Sequence, residues 1–206
     1  MLIFPFNGNG IEALDCIDYN QYEFIGFIDD DLEKKSEQYS IFSREILKRY
    51  KEVFFLAVPG GPLSFRKRRE IISSFNIDSS RYITVIHKSA SLGRNVKVGV
   101  NCLIMAGVVL TSNARVHDHV CVLPNTVIHH DVIVNQYTLI GSNVVIAGGT
   151  TIGQNCYIGS GTNIINGITV DDVSLIGLGS NIIKNVKSNA KMVGNPAKDL
   201  NGYNIK

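Results

Sequence analysis

An imidazole beside a carboxylate marks the segment of this chain best suited to proton transfer. His129, His130 and Asp131 are consecutive. A carboxylate next to a histidine fixes the tautomer of the ring and stabilises the imidazolium that forms when the ring takes up a proton. The pair therefore has the composition of a general base. Surface histidines at a turn are the alternative that these residues alone leave equally open.

A second candidate site lies near the start of the chain, where glycines can approach a phosphate. The segment Gly8–Ala13 matches the glycine fingerprint that binds a pyrophosphate at a helix N-terminus, and Asp29 follows near the spacing of a ribose-binding acid. The surrounding segment is long enough for only half of a doubly wound domain, so a nucleotide-sugar fits better than a dinucleotide. The alternative is that the glycines only form a tight strand-to-helix turn.

The elements that position the histidine site are repeats of six residues, which run from Ala90 to Asn185. In sixteen consecutive hexads counted from Ala90, the third place is always aliphatic, and the sixth place is Asn, Gly or Asp in thirteen. Asn, Gly and Asp favour the positive-φ conformation that a corner requires. Stacked coils of three hexads then predict a left-handed parallel β-helix of roughly five coils. A β-sandwich is rejected because its strands alternate with a period of two.

The first 86 residues have a different pattern, in which short apolar strands alternate with helices. Strands are predicted at 2–6, 23–28, 53–58 and 82–86, with helices from Ile11, around 43–50 and after Pro62. We therefore predict an α/β half-Rossmann domain over residues 1–86, followed by a left-handed β-helix domain with a C-terminal tail over 87–206. The basic run Arg66–Arg69 is interpreted as a solvated helix face, with one side chain reaching a phosphate as the alternative.

Composition narrows the class of protein. The chain has 206 residues, a net charge of +2 and only 18% charged residues, which favours neither a nucleic-acid-binding nor a membrane-surface protein. Four unpaired cysteines and the lack of a basic leader favour reduced thiols and a cytoplasmic location. His117 and His119 could chelate a metal, but no third histidine occupies a matching place on an adjacent coil, so no metal is predicted.

Several motifs together resemble the sugar acetyltransferases of the bacillosamine and sialic-acid pathways. The resemblance covers nearly the whole chain and is carried by Thr126–Asp131, Val145–Gly149, Ile152–Gly159, Val193–Lys198, the Gly8/Gly10 turn and Phe27–Asp30. It implies a homotrimer in which acetyl-CoA lies in the groove between two subunits. It also implies that the N-terminal domain holds a nucleotide-linked amino sugar, of the UDP-4-amino-4,6-dideoxy type, for surface glycan biosynthesis.

The same resemblance implies a role for each site residue. His130 looks like the catalytic base, Asp131 like its partner, and Gly148 like the residue whose amide faces the thioester oxygen. The remaining positions that it implies are acetyl-CoA contacts at Gly148, Ser160, Gly177 and Leu178, and substrate contacts at Asn7, Gly8, Asn9, Gly10, Asp29, Asp30 and Gly60. The chain departs from the family pattern at His129, at Leu123 and at Pro5-Phe6, all of which concern the sugar rather than the coil.

The expected reaction is direct transfer of an acetyl group to the sugar amine, with His130 as the base. A covalent route through Cys102, Cys121 or Cys156 is disfavoured, because these residues occupy coil-facing or unremarkable places. Two alternatives stay open. One is an O-acetyltransferase of the sialic-acid type, and the other is a non-catalytic trimeric binding protein.

Overall fold

The computed structural model describes residues 1–200, so the end of the predicted C-terminal tail, 201–206, lies outside the described residues. The chain begins with a four-stranded, wholly parallel sheet of order β3-β2-β1-β4. Its strands are β1 (Leu2–Phe4), β2 (Gly26–Ile28), β3 (Ile41–Phe42) and β4 (Phe55–Ala57). The strands at 2–6, 23–28 and 53–58 are thus confirmed with shorter bounds, and β3 was not predicted.

Short helices connect these strands. They are α1 (Gly8–Glu12), which continues as a 3-10 helix (Ala13–Cys16); α2 (Ile46–Arg49); a 3-10 helix (Phe65–Lys67) that leads into α3 (Arg68–Ser73); and a 3-10 helix (Ser79–Arg81). No helix in residues 1–200 is both long and apolar enough to cross a membrane. The N-terminal region is therefore a small parallel sheet with short helices around it.

The rest of the described chain is a left-handed parallel β-helix, as the repeats predict. Each side of a coil contributes a two-residue strand that pairs in parallel with the strand eighteen residues further on, for example Arg115 with Ile133. The strands are β5 (Val85–Ile86), β6 (Ser91–Leu92), β7 (Lys97–Val98), β8 (Leu103–Ile104), β9 (Val109–Leu110), β10 (Arg115–Val116), β11 (Cys121–Val122), β12 (Val127–Ile128), β13 (Ile133–Val134), β14 (Leu139–Ile140), β15 (Val145–Ile146), β16 (Thr151–Ile152), β17 (Tyr157–Ile158), β18 (Asn163–Ile164), β19 (Thr169–Val170), β20 (Leu175–Ile176) and β21 (Asn181–Ile182). An antiparallel hairpin of β22 (Lys191–Gly194) and β23 (Ala197–Asp199) closes one of the three sheets.

The three corners of the coil are the positions that the hexad pattern predicts. Every sixth residue from Asn95 to Gly179 has a positive φ. We call them the first corner (Asn95, Asn113, Asp131, Gly149, Gly167), the second corner (Asn101, His119, Tyr137, Asn155, Val173) and the third corner (Gly107, Asn125, Asn143, Gly161, Gly179). His119 and Tyr137 are bulky for this conformation. Their rings stack with centroids 4.7 Å apart, which offsets part of the strain.

The coil begins one hexad earlier than the sequence pattern indicates. Strand β5 pairs with β8 of the coil, and Thr84 bonds Gly99 and Cys102 in the way that coil threonines bond their neighbours. The strand predicted at 82–86 is therefore confirmed only as β5, and its assignment to the N-terminal sheet is wrong. Apart from a single bridge between Phe55 and Tyr82, this segment belongs to the coil.

The two regions share an apolar cluster that lies outside the interior of the coil. Inside the coil, the third-place aliphatic residues stack in a buried column. On the outer face of the sheet that contains β8, β11, β14 and β17, the residues that point away from this column are also apolar and buried (Leu103, Cys121, Leu139, Tyr157). They form one cluster with residues of the N-terminal region such as Leu14 and Phe65. The N-terminal region is thereby fixed on one face of the coil.

Candidate active site

The predicted base lies on the first corner, between β12 and β13. His130 and Asp131 are well exposed, with side chains 66% and 56% accessible. The Nδ1 atom of His130 lies 2.8 Å from Oδ2 of Asp131. The positive φ of Asp131, 59°, turns the chain sharply at this point. An aspartate tolerates this conformation better than most residues, so the same residue both makes the corner and holds the imidazole.

Two asparagines at the same corner of the preceding coils form a chain of side-chain hydrogen bonds that ends at Asp131. Asn113, at the equivalent place one coil earlier, donates from Nδ2 to Oδ1 of Asp131 at 2.9 Å. Asn95, a further coil earlier, donates in the same way to Oδ1 of Asn113 at 3.2 Å. Both oxygens of Asp131 are thus occupied, and the carboxylate cannot easily rotate away from the imidazole.

Hydrogen bonds keep Asp131 ionised. The bond with His130, followed by the bond from Asn113, lowers the pKa of the Asp131 carboxyl below its usual value. An ionised carboxylate only accepts hydrogen bonds, so the hydrogen between the two side chains is assigned to Nδ1 of His130. In the neutral ring, Nε2 is then left with a lone pair that can take up a proton.

Gly148 lies directly against the imidazole, one coil after His130. A Cβ at position 148 would lie 2.5 Å from both Cε1 and Nε2 of His130, so the ring can occupy its place only because residue 148 is a glycine. Within residues 1–200, the Gly148 amide donates to no protein group. The predicted base and the predicted oxyanion donor are therefore adjacent.

The other predicted acetyl-CoA contacts lie at or beside the third corner. Ser160 accepts a hydrogen bond from the Ser142 amide at 3.0 Å, Leu178 is 69% exposed, and Gly177 packs against Val193 of the C-terminal hairpin. These residues and His130 therefore occupy different edges of the triangular coil. A single chain does not bring the two sets together.

The predicted substrate residues of the glycine motif gather after β1 and β4. Asn7 caps α1 by accepting from the Gly10 amide at 3.0 Å. A Cβ on Gly10 would overlap the Pro5 carbonyl, whereas Gly8 faces open space. The Asn9 side chain donates to the Gly60 carbonyl at 3.3 Å and so joins the two loops. Within the described residues, no protein acceptor bonds the amides of Gly8 and Asn9.

The two predicted substrate aspartates are already engaged within the protein. Asp29 is buried, and its Oδ2 accepts from the Phe6 amide and from Nζ of Lys34, both at 2.9 Å. Asp30 forms a two-point ion pair with Arg44, with one of its bonds at 2.7 Å. In this structure Asp29 shapes the loop after β1, and Asp30 anchors the loop after β2.

Arg68 overturns the interpretation of the basic run as a solvated face. Arg66, Lys67 and Arg69 are exposed, but Arg68 is fully buried. Its guanidinium donates to the carbonyls of Pro59, His119 and Tyr137. The run therefore contains one structural cation among three solvated ones.

Metal ligation and thiol chemistry receive no support from the described part of the chain. Residues 1–200 hold no group of three or more His, Cys, Asp or Glu side chains that could bind a metal ion. The four cysteines are free and buried, and burial raises the pKa of Cys102 and Cys156 to about 12 and that of Cys121 to about 11. These thiols stay protonated at neutral pH.

The sequence analysis missed Asn113. Its signal is present in the sequence, because it precedes Asp131 by eighteen residues, the length of one coil. Side chains at the same corner of successive coils must stack, so a polar residue eighteen places from a candidate catalytic residue is its neighbour.

Comparison with known proteins supports the fold. The family model of the bacterial transferase hexapeptide (six repeats) matches residues 113–148 and 131–166. No curated protein sequence matches the chain. The hexapeptide repeats are thus confirmed over the part of the coil that carries His130.

Solved structures match almost the whole chain at low sequence identity. The acetyltransferase domain of PglB from Neisseria gonorrhoeae FA1090 has a TM-score of 0.83 at 20% identity, covering 97% of this chain and 98% of that one. A mutant of perosamine N-acetyltransferase from Caulobacter crescentus, in complex with CoA and GDP-perosamine, has a TM-score of 0.85 at 18% identity, covering 96% and 95%. WeeI from Acinetobacter baumannii AYE has a TM-score of 0.70 at 18% identity, covering 97% and 98%. The matches confirm the fold of the family that the motifs resemble.

Proposed function

We propose that this protein is an acetyl-CoA-dependent N-acetyltransferase that acts on a nucleotide-linked amino sugar. The observation that carries the proposal is the exposed His130–Asp131 pair, held by Asn113 and lying against Gly148, whose amide donates to no protein group within residues 1–200. A general base and a neighbouring hydrogen-bond donor are two groups that can accelerate acyl transfer to an amine.

The similar structures support both substrates. The PglB acetyltransferase domain is also known in complex with acetyl coenzyme A, and PerB from Caulobacter crescentus in complex with CoA and GDP-perosamine. A nucleotide-linked amino sugar is therefore a reasonable acceptor for this chain. We propose a UDP-4-amino-4,6-dideoxy sugar as the specific acceptor, and this choice rests on the sequence motifs alone.

His130 is the base of the proposed mechanism. Its Nε2 atom accepts the proton that the sugar amine loses as its nitrogen bonds the acetyl carbon, and Asp131 stabilises the resulting imidazolium through Nδ1. The imidazolium then returns this proton to the departing sulfur, so that the thiol leaves neutral. Positioned acid–base catalysis of this kind contributes typically ~10²–10⁴-fold.

The Gly148 amide is the proposed donor to the carbonyl oxygen. Negative charge develops on that oxygen during attack, and one such donor is worth roughly 3–4 kcal/mol. Acetyl-CoA supplies the activated acyl group when bound. The raised pKa values of Cys102, Cys121 and Cys156 argue against an acyl-cysteine intermediate, since the thiolate is the nucleophile.

The N-terminal region is the proposed holder of the nucleotide. Its strand order reverses between β1 and β4, and ligands of open parallel sheets bind outside the carboxyl ends of the strands at such a reversal. The loops that carry Asn7–Gly10 and Gly60 leave β1 and β4 at this end of the sheet. This strand order also favours the half-Rossmann assignment, which was predicted for residues 1–86 but whose last residues, from Thr84 on, lie in the coil.

We also propose a homotrimer, which the positions of the predicted acetyl-CoA residues support. His130 lies on the first corner of the coil and Leu178 beside the third, so one acetyl-CoA molecule can contact both only where corners of two subunits meet. Three copies around a threefold axis would complete three equivalent sites.

The test is thiol release from acetyl-CoA with a panel of 3-amino and 4-amino sugars on UDP, dTDP and GDP carriers, together with mass analysis of the product. We expect turnover with at least one amino sugar, and loss of most of kcat in His130→Ala. His117→Ala, which removes an exposed coil histidine away from the site, is the matched control. No release with any acceptor, or full activity of His130→Ala, would refute the proposal. A product acetylated on oxygen would favour the O-acetyltransferase alternative.

A further inference from the structure

Arg68 is a buried cation without a carboxylate partner in the described residues. Its Nε donates to the Tyr137 carbonyl at 2.9 Å, Nη2 to the His119 carbonyl at 2.7 Å, and Nη1 to the Pro59 carbonyl. Burial lowers the pKa of this guanidinium, because removing a charge from water is costly. The three hydrogen bonds to carbonyls offset part of this cost.

The three carbonyls belong to two different parts of the molecule. Pro59 lies in the loop after β4, whereas His119 and Tyr137 lie on successive coils at the second corner. The planar fork of one arginine therefore ties the loop to the coil. A lysine has no such fork and cannot reproduce this arrangement.

The loop is packed against the stem of the same side chain. Gly60 has φ +116°, and a Cβ there would lie 2.8 Å from Cγ of Arg68. The Gly60 carbonyl in turn accepts from the Asn9 side chain. Displacing Arg68 would therefore move both loops to which we assign the nucleotide-sugar.

A second connection fixes the strand that leads into this loop. Asn101, also on the second corner, accepts from the Ala57 amide at 2.7 Å and donates to the Ala57 carbonyl at 2.9 Å. The chain is thus held to the coil at Ala57 by an amide and at Pro59 by a guanidinium. The orientation of the loop relative to the coil is determined at both points.

We propose that Arg68 is a positioning residue that holds the Pro59–Gly61 loop against the second corner, so that a nucleotide-linked sugar bound there presents its amine at a fixed distance from the coil imidazole. This inference rests on the proposed function. It predicts that Arg68 controls recognition of the acceptor and has little influence on acetyl-CoA.

The experiment compares Arg68→Lys with Arg69→Lys, which changes an exposed neighbour in the same run. We expect Arg68→Lys to raise the KM for the amino sugar at least tenfold and to leave the KM for acetyl-CoA within twofold, while Arg69→Lys changes neither. If Arg68→Lys fails to fold, Gly60→Ala displaces the loop and leaves Arg68 unmutated. It should also raise the KM for the amino sugar and leave the KM for acetyl-CoA within twofold. Equal rises in both KM values, or an unchanged sugar KM in the folded variant, would overturn the proposal.

Hydrogen exchange provides a readout that does not depend on activity. The amides of Ser64 and Phe65 donate to the Gly61 carbonyl at 3.0 and 2.8 Å and report on the loop. They should exchange at least tenfold faster in Arg68→Lys, with the coil amides of Val127 and Ile133 unchanged. Wild-type protein that acetylates no acceptor would refute the proposed function. Unchanged loop exchange in a folded Arg68 variant would separately refute the role of Arg68.

Discussion

Replacing Gly148 with alanine should displace His130, the proposed base, without changing its chemical identity. The added methyl group would lie 2.5 Å from two atoms of the His130 ring, whereas ordinary contacts of this kind are 3.4–4 Å. The imidazole must therefore retreat by about 1 Å, and a displacement of that size can cost ~10²-fold in rate. The Gly148 amide is retained, so the proposed oxyanion donor survives the change.

Folding should be almost unaffected by this substitution. Gly148 does not have the left-handed φ that penalises alanine, and the atoms that must move are the end of an exposed side chain. At compatible positions, glycine to alanine stabilises a protein by about 0.4–1 kcal/mol through the unfolded chain. We therefore expect an unchanged or slightly higher Tm together with a kcat that is ~100-fold lower.

A double-mutant cycle decides whether the loss acts through the ring. Turnover is measured by thiol release from acetyl-CoA in Gly148→Ala, in His130→Ala and in the double variant. If the methyl group acts by displacing the imidazole, Gly148→Ala should lower kcat by less than about twofold in the His130→Ala background. An equal loss in both backgrounds, or a single variant with normal kcat, would show that the position of the ring does not limit the reaction.

Three further predictions concern the hydrogen bonds around the coil corners. Asp131→Asn should lower kcat less than His130→Ala does, because the imidazole remains; steady-state kinetics of the two variants test this order. Asn113→Ala should lower kcat less than tenfold and move the acid loss of activity to higher pH, since the bond from Asn113 lowers the pKa of Asp131; a pH–rate profile that coincides with that of the wild type would contradict it. Burial lowers the pKa of His119 from 6.5 to about 4, so the unfolded chain takes up a proton first, and the free energy of unfolding should fall by up to about 3 kcal/mol as pH drops from 6.5 to 4. His119→Asn suits the corner and cannot titrate, so its denaturation midpoint should depend less on pH over this range; an equal slope would exclude His119 as the cause.

The coil was predictable in detail because one period controls both its core and its corners. The aliphatic residue at the third place of each hexad and the positive φ at the sixth place follow directly from the repeat. The start of the coil at Thr84 was missed because the sixth residue of that hexad is Ser89, and not the Asn, Gly or Asp that occupies most corners. Strand β3 was missed because two residues are too few to show a pattern.

The site was predictable where neighbours in sequence are also neighbours in space. His130 and Asp131 are adjacent in the chain and bonded in the structure. The partnership with Asn113 depends on the coil length, which the hexads contain but which was not applied to polar residues. Arg68 could not be identified, because its burial depends on how the N-terminal region docks, and a basic run is normally solvated.

The apolar outer face of the coil limits how the N-terminal region of this protein can be exchanged for another. Leu103, Leu139 and Tyr157 are covered only because the N-terminal region lies on them, so a truncated coil would expose an adhesive surface and aggregate. A different N-terminal region could therefore replace the present one only if the apolar residues on the outer face of the coil were changed to match it. Exchange of the N-terminal region and the solubility of the coil are thus coupled through the same apolar face.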